Sequence, residues 1–301
     1  MKPAAFRSRV KGFTLIELMI SMVIGLVVVG AVLVSVIGSR DAGRFQTAYA
    51  QMNEDAQIGL SMLSRDIQMA GYALPTSLAP DPLPATTSSL VSTTLAPNAF
   101  IFGCDTGFAD PAAALLVCGA AAPPSSTTSA IMVSYEADQR NTVLTTSGTI
   151  APSDCLGNGI AVGPPYVANN RYFISQSAAA GNRPELYCAS GAANQPLIEN
   201  IDDMRVWYGL SNTPTSRQVV RYVTAADIAA TGAGAAGAAQ WANVVSVRIC
   251  LLVRSAEPVL KGGDEGTLTY LDCGAATQTS NDRRLRRAYF TTASLRIKMP
   301  N

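Results

Sequence analysis

Residues 11–30 read KGFTLIELMISMVIGLVVVG. From Phe13 to Ile37 the chain is almost wholly apolar, with Thr14, Glu17, Ser21 and Ser35 as the exceptions. About 24 residues at ~1.5 Å each give roughly 36 Å of helix, enough to cross a bilayer with some tilt. Lys2, Arg7, Arg9 and Lys11 stand before this run, and no acidic residue precedes Glu17. The basic leader keeps the N-terminus cytoplasmic and sends the chain after about residue 40 outward. A cleavable secretory signal has a shorter apolar core, about 7–15 residues, followed by a small-residue site. Here the run is longer and ends in VSVIGSRD, a poor site of that kind. Glu17 is the anomaly, because an unpaired carboxylate in lipid costs several kcal/mol.

The helical pattern continues past the apolar span. Phe45, Tyr49, Met52, Ala56, Leu60, Leu63, Ile67 and Ala70 recur every three or four residues, one stripe on a helix. Gln51, Asn53, Glu54, Asp55, Gln57 and Arg65 occupy the opposite face. Gly71 suits the position just past a helix end, and Pro75 prevents continuation. The spacing predicts one helix over about 14–70, roughly 85 Å long, greasy all round in its first half and amphipathic in its second. The stripe is read as packing against the protein's own sheet.

The totals exclude several functions. The chain has 301 residues, a net charge of +1 and only 14% charged residues, so bulk electrostatics gives no push toward nucleic acid. It contains no histidine, which removes Ser-His-Asp and Cys-His catalysis and the usual imidazole metal sites. Cys104, Cys118, Cys155, Cys188, Cys250 and Cys273 all follow the apolar segment, and none forms a C-x-x-C pair. Their even number points to disulfides in an oxidising compartment. Fifteen pairings are open. The sequential set 104–118, 155–188 and 250–273 is preferred, with free buried thiols as the alternative.

At this point the residues carry a resemblance. KGFTLIELMISMVIGLVVVG resembles the class III signal of type IV prepilins and type II secretion pseudopilins. The resemblance implies that a prepilin peptidase cuts between Gly12 and Phe13 and then N-methylates Phe13. It also implies that Glu17, five residues into the mature chain, meets the amino group of a neighbouring subunit during assembly. Two buried charges offset each other's desolvation only when paired, so Glu17 would gain its partner in one axial register. Loss of the four leader positives leaves 18 Lys and Arg against 21 Asp and Glu, a formal −3.

Beyond the helix, residues 72–130 are rich in Pro, Ala, Ser and Thr and read as long loops, one of them pinned by Cys104 and Cys118. Strand signals follow at 130–137, 170–177, 185–190, 203–210, 217–224, 244–255 and 286–299, several alternating as half-buried antiparallel strands do. The expected fold is α+β and pilin-like: a long N-terminal helix on an antiparallel sheet. LSMLSRDIQMAGY, PLIENIDDMRVWYGL, WANVVSVRICLLVRS and RRLRRAYFTTASLRIKM together are similar to the PilW family of type IV minor pilins. The ending LRIKMPN departs from it, since the family often has Asn directly after Leu-Arg.

Three further motifs have bland readings. GAGAAG at 232–237 with Glu257 matches a dinucleotide fingerprint by letters, but the gap to the next strand is too short for a crossover helix. DRRLRRAYF at 282–290 could touch phosphates, yet an edge strand or pairing with acidic neighbours is preferred. Asp202–Asp203 and Asp264–Glu265 lack the D-x-D-x-D-G pattern of a calcium loop and are read as solvated turns.

The sequence thus predicts four segments: a leader over 1–12, a transmembrane half-helix over 13–37, an amphipathic half over 38–71 and a periplasmic β-rich head over 72–301. The resemblance implies a non-enzymatic minor pilin without cofactor. It would prime pilus assembly and sit at the tip. Implied partners are the prepilin peptidase, other minor pilins, the major pilin, the inner-membrane assembly platform and a tip adhesin. Before assembly it would reside in the inner membrane; afterwards, in the filament. The rivals are a J-type minor pseudopilin of type II secretion and a membrane-anchored periplasmic enzyme. Missing histidine and the lack of a nucleophile motif oppose the second.

Overall fold

The structure is a computed structural model and describes residues 12–73, 100–119, 128–146, 150–161, 163, 165–177, 181–230, 239–259 and 268–298. The leader before Gly12, most of the 72–130 loops, the 232–237 glycine loop, the Asp264–Glu265 pair and the last three residues lie outside them. The chain divides into two compact units at Ala48–Tyr49.

The first unit is helical. Helix α1 runs Leu15–Met69, and its apolar span is long enough to cross a membrane. Leu15, Ile16, Leu26, Val27 and Val34 are all exposed, so this span is apolar on every side.

The second unit begins with the rest of α1, which ends where the sequence places the stop. Gly71 takes φ +77°, and the Tyr72 N–H donates to the Met69 carbonyl at 2.8 Å. A left-handed residue past the last turn closes a helix at little cost only when it is glycine. There is also no room for a side chain, since a Cβ at 71 would sit 2.5 Å from the Phe100 ring.

Two antiparallel sheets follow. The first joins β1 (Ile101–Cys104), β2 (Ala130–Glu136), β3 (Val167–Ser177), β4 (Arg183–Ser190) and β5 (Ala193–Glu199) in that order. Asn200 turns the chain out of it with φ +63°, a conformation asparagine tolerates better than most side chains. The second sheet uses β6 (Ile201–Leu210), β7 (Arg221–Val223), β8 (Val244–Arg254) and β11 (Arg286–Ser294), ordered β11-β8-β6-β7. A separate hairpin, β9 (Leu268–Leu271) with β10 (Thr277–Ser280), and a short helix α2 (Ala225–Ala230) complete the head.

Met52, Ala56, Leu63, Ile67 and Ala70 of α1 are buried in one core with both sheets. Ile131, Val133 and Tyr135 point into it from β2; Met204, Val206 and Tyr208 do so from β6. On the central strands β2, β4 and β8 the opposite face is buried too, beyond the half-burial expected, whereas β5 and β11 keep exposed positions. β2 is buried at every position. The reason is a cover on each sheet. The loop closed by Cys104–Cys118 lays Phe108 and Leu116 over Met132, Phe173 and Tyr187. The Cys250–Cys273 bond holds the β9–β10 hairpin, with Tyr270, over Leu252 and Trp207. The third bond, Cys155–Cys188, fastens the 150–160 loop to β4. The three pairs are the sequential ones.

The expected strand over 217–224 shrinks to Arg221–Val223, because only Val223 of that stretch reaches the core while Val219 and Val220 stay exposed. Four strands were not foreseen: β1, β5, β9 and β10. Asp202 and Asp203 are not in a solvated turn but within β6.

Gly103 in β1 lies directly against the hydroxyl of fully buried Tyr208, where a Cβ would overlap it. Gly103→Ala should therefore cost about 1–3 kcal/mol through overpacking. Thermal unfolding of the oxidised protein tests this, and an unchanged midpoint would show that the Tyr208 ring is free to move aside.

Candidate functional site at the helix start and in the braced head

Gly12 and Phe13 precede α1 and are exposed, Phe13 at 88%. Thr14 then caps the helix. The Glu17 N–H donates to Thr14 Oγ1 at 3.3 Å. In return Glu17 Oε2 accepts from the Thr14 N–H and from its hydroxyl, each at 3.1 Å. This is a reciprocal capping box, in which a helix start that lacks intrahelical acceptors is satisfied by its own side chains. The sequence carries the signal as Thr-Leu-Ile-Glu at 14–17, a cap hidden there by the family role of Glu17. The structure therefore gives Glu17 a local partner that sequence reasoning missed. A second box of the same form, Thr224 with Asp227, opens α2, where Asp105 also accepts from the Ala225 and Ala226 N–H groups.

Within the head, polar side chains fasten α1 to the first sheet. Half-buried Asp66 accepts from Tyr172 Oη and Asn170 Nδ2, each at 2.6 Å. Asn170 Oδ1 in turn accepts from the Cys155 N–H, so the cluster links helix, sheet and disulfide loop. Burial raises the Asp66 pKa even though these donors act to lower it. Tyr135 is pushed up by burial and by the Asp66 charge beside it.

The arginine-rich stretch at 283–287 is occupied internally. Arg286 pairs with Asp202 at 2.5 Å and with Asp282 at 2.6 Å. Asp202 also faces Arg254 at 3.5 Å. Arg284 donates to the carbonyls of Ser255 and Ala256. Arg287 lies over the rings of Tyr49 and Tyr289, and Tyr289 Oη donates to Asn53 of the helix at 2.7 Å. β11 lies at one margin of its sheet, as preferred from the sequence. The run is thus a brace between β11, β6 and α1. Among the described residues, no group of three or more His, Cys, Asp or Glu side chains could hold a metal ion.

Asp203 pairs with Arg205 at 3.0 Å, but its Oδ1 is buried without a partner. Burial raises its pKa to about 6 from an ordinary 3.8, with Arg205 pulling the other way. A carboxyl whose folded pKa is raised loses stability as pH climbs from about 4 to about 6. Asp203→Asn keeps the shape without the charge. Relative to wild type, the variant should gain up to about 3 kcal/mol between pH 4 and pH 7. Denaturant unfolding at the two pH values measures this; a difference that is flat with pH would refute the buried charge.

Comparison with known proteins bears on both regions. The model for the prokaryotic N-terminal methylation motif matches residues 7–33. The model described as type IV pilus-assembly protein W matches residues 171–296, from β3 to the last turn of the chain. Among solved structures, a type IV-like pilin from Thermus thermophilus aligns at a TM-score of 0.36 and 14% identity, covering 83% of this chain and 99% of that one. The comparison with curated proteins gives no match. A prepilin methylation motif thus opens α1, and most of both sheets is similar to the type IV pilus-assembly protein W family.

Proposed function

We propose that the chain is a structural subunit that is cut between Gly12 and Phe13, N-methylated on Phe13 and then built into a type IV pilus. Residues 13–37 anchor it in the inner membrane beforehand, with the N-terminus cytoplasmic. Residues 38–71 are the amphipathic half of the helix, and residues 72–301 form a periplasmic head. Together with other minor pilins it primes assembly on the inner-membrane platform and stays near the tip, ahead of the major pilin and beneath an adhesin. The pilus-assembly W match supports this reading over a J-type pseudopilin, which would share the methylation motif and its processing but serve secretion.

The observation that carries the reading is the state of Glu17. Its Oε2 is held by Thr14, while Oε1 takes no hydrogen bond among the described residues. Local capping lowers the cost of holding the carboxylate in lipid, and one oxygen stays open for a second donor. The amino group of a neighbouring subunit's first residue is such a donor, and it exists only after cleavage.

The intact mass of the purified protein tests processing and oxidation together. Loss of residues 1–12, one added methyl group and six fewer hydrogens are expected. A full-length unmethylated mass from peptidase-positive cells would overturn the proposal. Glu17→Ala should still be cleaved but fail to enter filaments, as read by its share in sheared pili. Normal incorporation of that variant would remove Glu17 from assembly.

A further inference from the structure

Four arginines of the head are held by acids: Arg183 by Glu199, Arg205 by Asp203, and Arg254 and Arg286 by Asp202. One hollow in the head departs from that habit. It has a volume of about 210 Å³ and is lined by Arg65, Gln68 and Met69 of α1, Arg140 and Asn141 of the turn that leaves β2, and Arg296 of the short 3₁₀ helix after β11. All three arginines are exposed, and no acid lines the hollow. Among the described residues, none of the three has an ion-pair partner. The acids nearest in sequence are committed elsewhere. Asp66 accepts from Tyr172 and Asn170, and Asp138 accepts from the Tyr72 hydroxyl and from the Arg140 and Asn141 N–H groups. Arg65 acts to lower the Asp66 pKa without pairing with it.

What aims the arginines is neutral. Arg65 Nη2 donates to the Asn141 carbonyl at 3.2 Å, and Arg296 Nη2 donates to Gln68 Oε1 at 3.1 Å. Those acceptors are themselves fixed: Gln68 Nε2 donates to Ser64, and the Asn141 side chain bonds the Asp138 N–H and the Glu136 carbonyl. Two guanidinium groups are thus positioned while their charge stays uncompensated. Arg140 adds a third, whose side chain makes no hydrogen bond among the described residues. Like charges held around one hollow repel, and an entering anion relieves all three at once. We propose that this hollow binds a phosphoryl group. A carboxylate offers two oxygens and one charge, which a single arginine fork satisfies. Three forks from three elements suit a group with three free oxygens and close to two charges. The space is several times the ~30 Å³ share of one water, so the group enters with part of whatever bears it. The bearer is inorganic phosphate or a phosphomonoester, which present the same oxygens.

The site stands apart from filament assembly, since every residue of it lies in the second unit. The processed full-length chain in detergent is titrated calorimetrically with inorganic phosphate and, separately, with glucose 6-phosphate, at fixed ionic strength. One saturable site is expected, with acetate at least ~10-fold weaker. Arg140→Gln is the cleanest variant because it breaks no bond within the head, and it should weaken binding about 10-fold. Arg65→Gln, Arg140→Gln and Arg296→Gln together should abolish binding, and Arg221→Gln, an exposed arginine elsewhere on the head, should leave it unchanged. An unfolding midpoint unchanged without ligand shows each variant intact; if the triple variant does not fold, Arg140→Gln alone decides. Equal affinity for the two probes means that only the phosphoryl group is read. Tighter glucose 6-phosphate identifies an ester as the source, and tighter inorganic phosphate the free ion. The assignment is overturned by no saturable binding of either probe, by acetate binding equally well, or by affinity that survives the arginine substitutions. A single-stranded oligonucleotide whose affinity exceeds both probes and climbs with length would also overturn it, in favour of a polymer track.

Discussion

The head depends on one narrow stripe of one helix burying the inner faces of two sheets. From Met52 to Ala70, the side chains that point inward are either small or held in place by both sheets. Gly59 shows how tight this is: a Cβ there would sit 2.9 Å from a Leu251 methyl of β8 and 3.0 Å from an Ile198 methyl of β5. Glycine inside a helix costs up to ~1 kcal/mol relative to alanine. Here that cost allows strands from both sheets to close on the same turn. Tyr208 against Gly103 repeats the device between β6 and β1, where a missing side chain makes room for a buried ring.

Because the inner faces are committed to the helix, the outer faces need their own covers, and the disulfides supply them. A short loop or a two-stranded hairpin is marginal alone in water. Bonded at Cys104–Cys118 or at Cys250–Cys273, each becomes a lid over aromatic and aliphatic side chains. The disulfides thus do more than restrict the unfolded chain. They cover the outer faces of the central strands, which is how every residue of β2 comes to be buried while β5 and β11 at the margins keep exposed positions.

Much of this was legible in the sequence where periodicity or chemistry was strong. The stop at Gly71, the Met52–Ala70 stripe and the β2, β6 and β8 runs each combine a clear pattern with a clear boundary. The unforeseen elements are those whose reasons are tertiary. β5 reads poorly because Pro196 breaks its pattern, yet an edge strand tolerates proline. β9 and β10 carry little apolar alternation of their own, since the hairpin is held by Cys273 rather than by a buried face. Asp202 and Asp203 look like turn residues until Arg286, Arg254 and Arg205 arrive from distant or neighbouring positions. For the arginine run the sequence offers an edge strand or pairing with acidic neighbours, and both hold, but the partners Asp202 and Asp282 take their places only in the fold.

The two capping boxes put the helix start in physical perspective. Thr224 and Asp227 begin a short helix beside water, where solvent could have satisfied the same groups. Thr14 and Glu17 use the identical arrangement at the head of an apolar span long enough to cross a membrane, where on the proposed reading solvent is scarce. The box therefore works differently in the two places. In the head it trims a loop into a helix. At residue 14, with the span in a membrane as proposed, it would supply hydrogen bonds that lipid cannot, lowering the cost of a carboxylate without consuming both of its oxygens. Glu17 is then neither an orphaned charge nor a fully satisfied one. It is held in an intermediate state, and a residue in that state can wait in one environment and still gain energy on entering another.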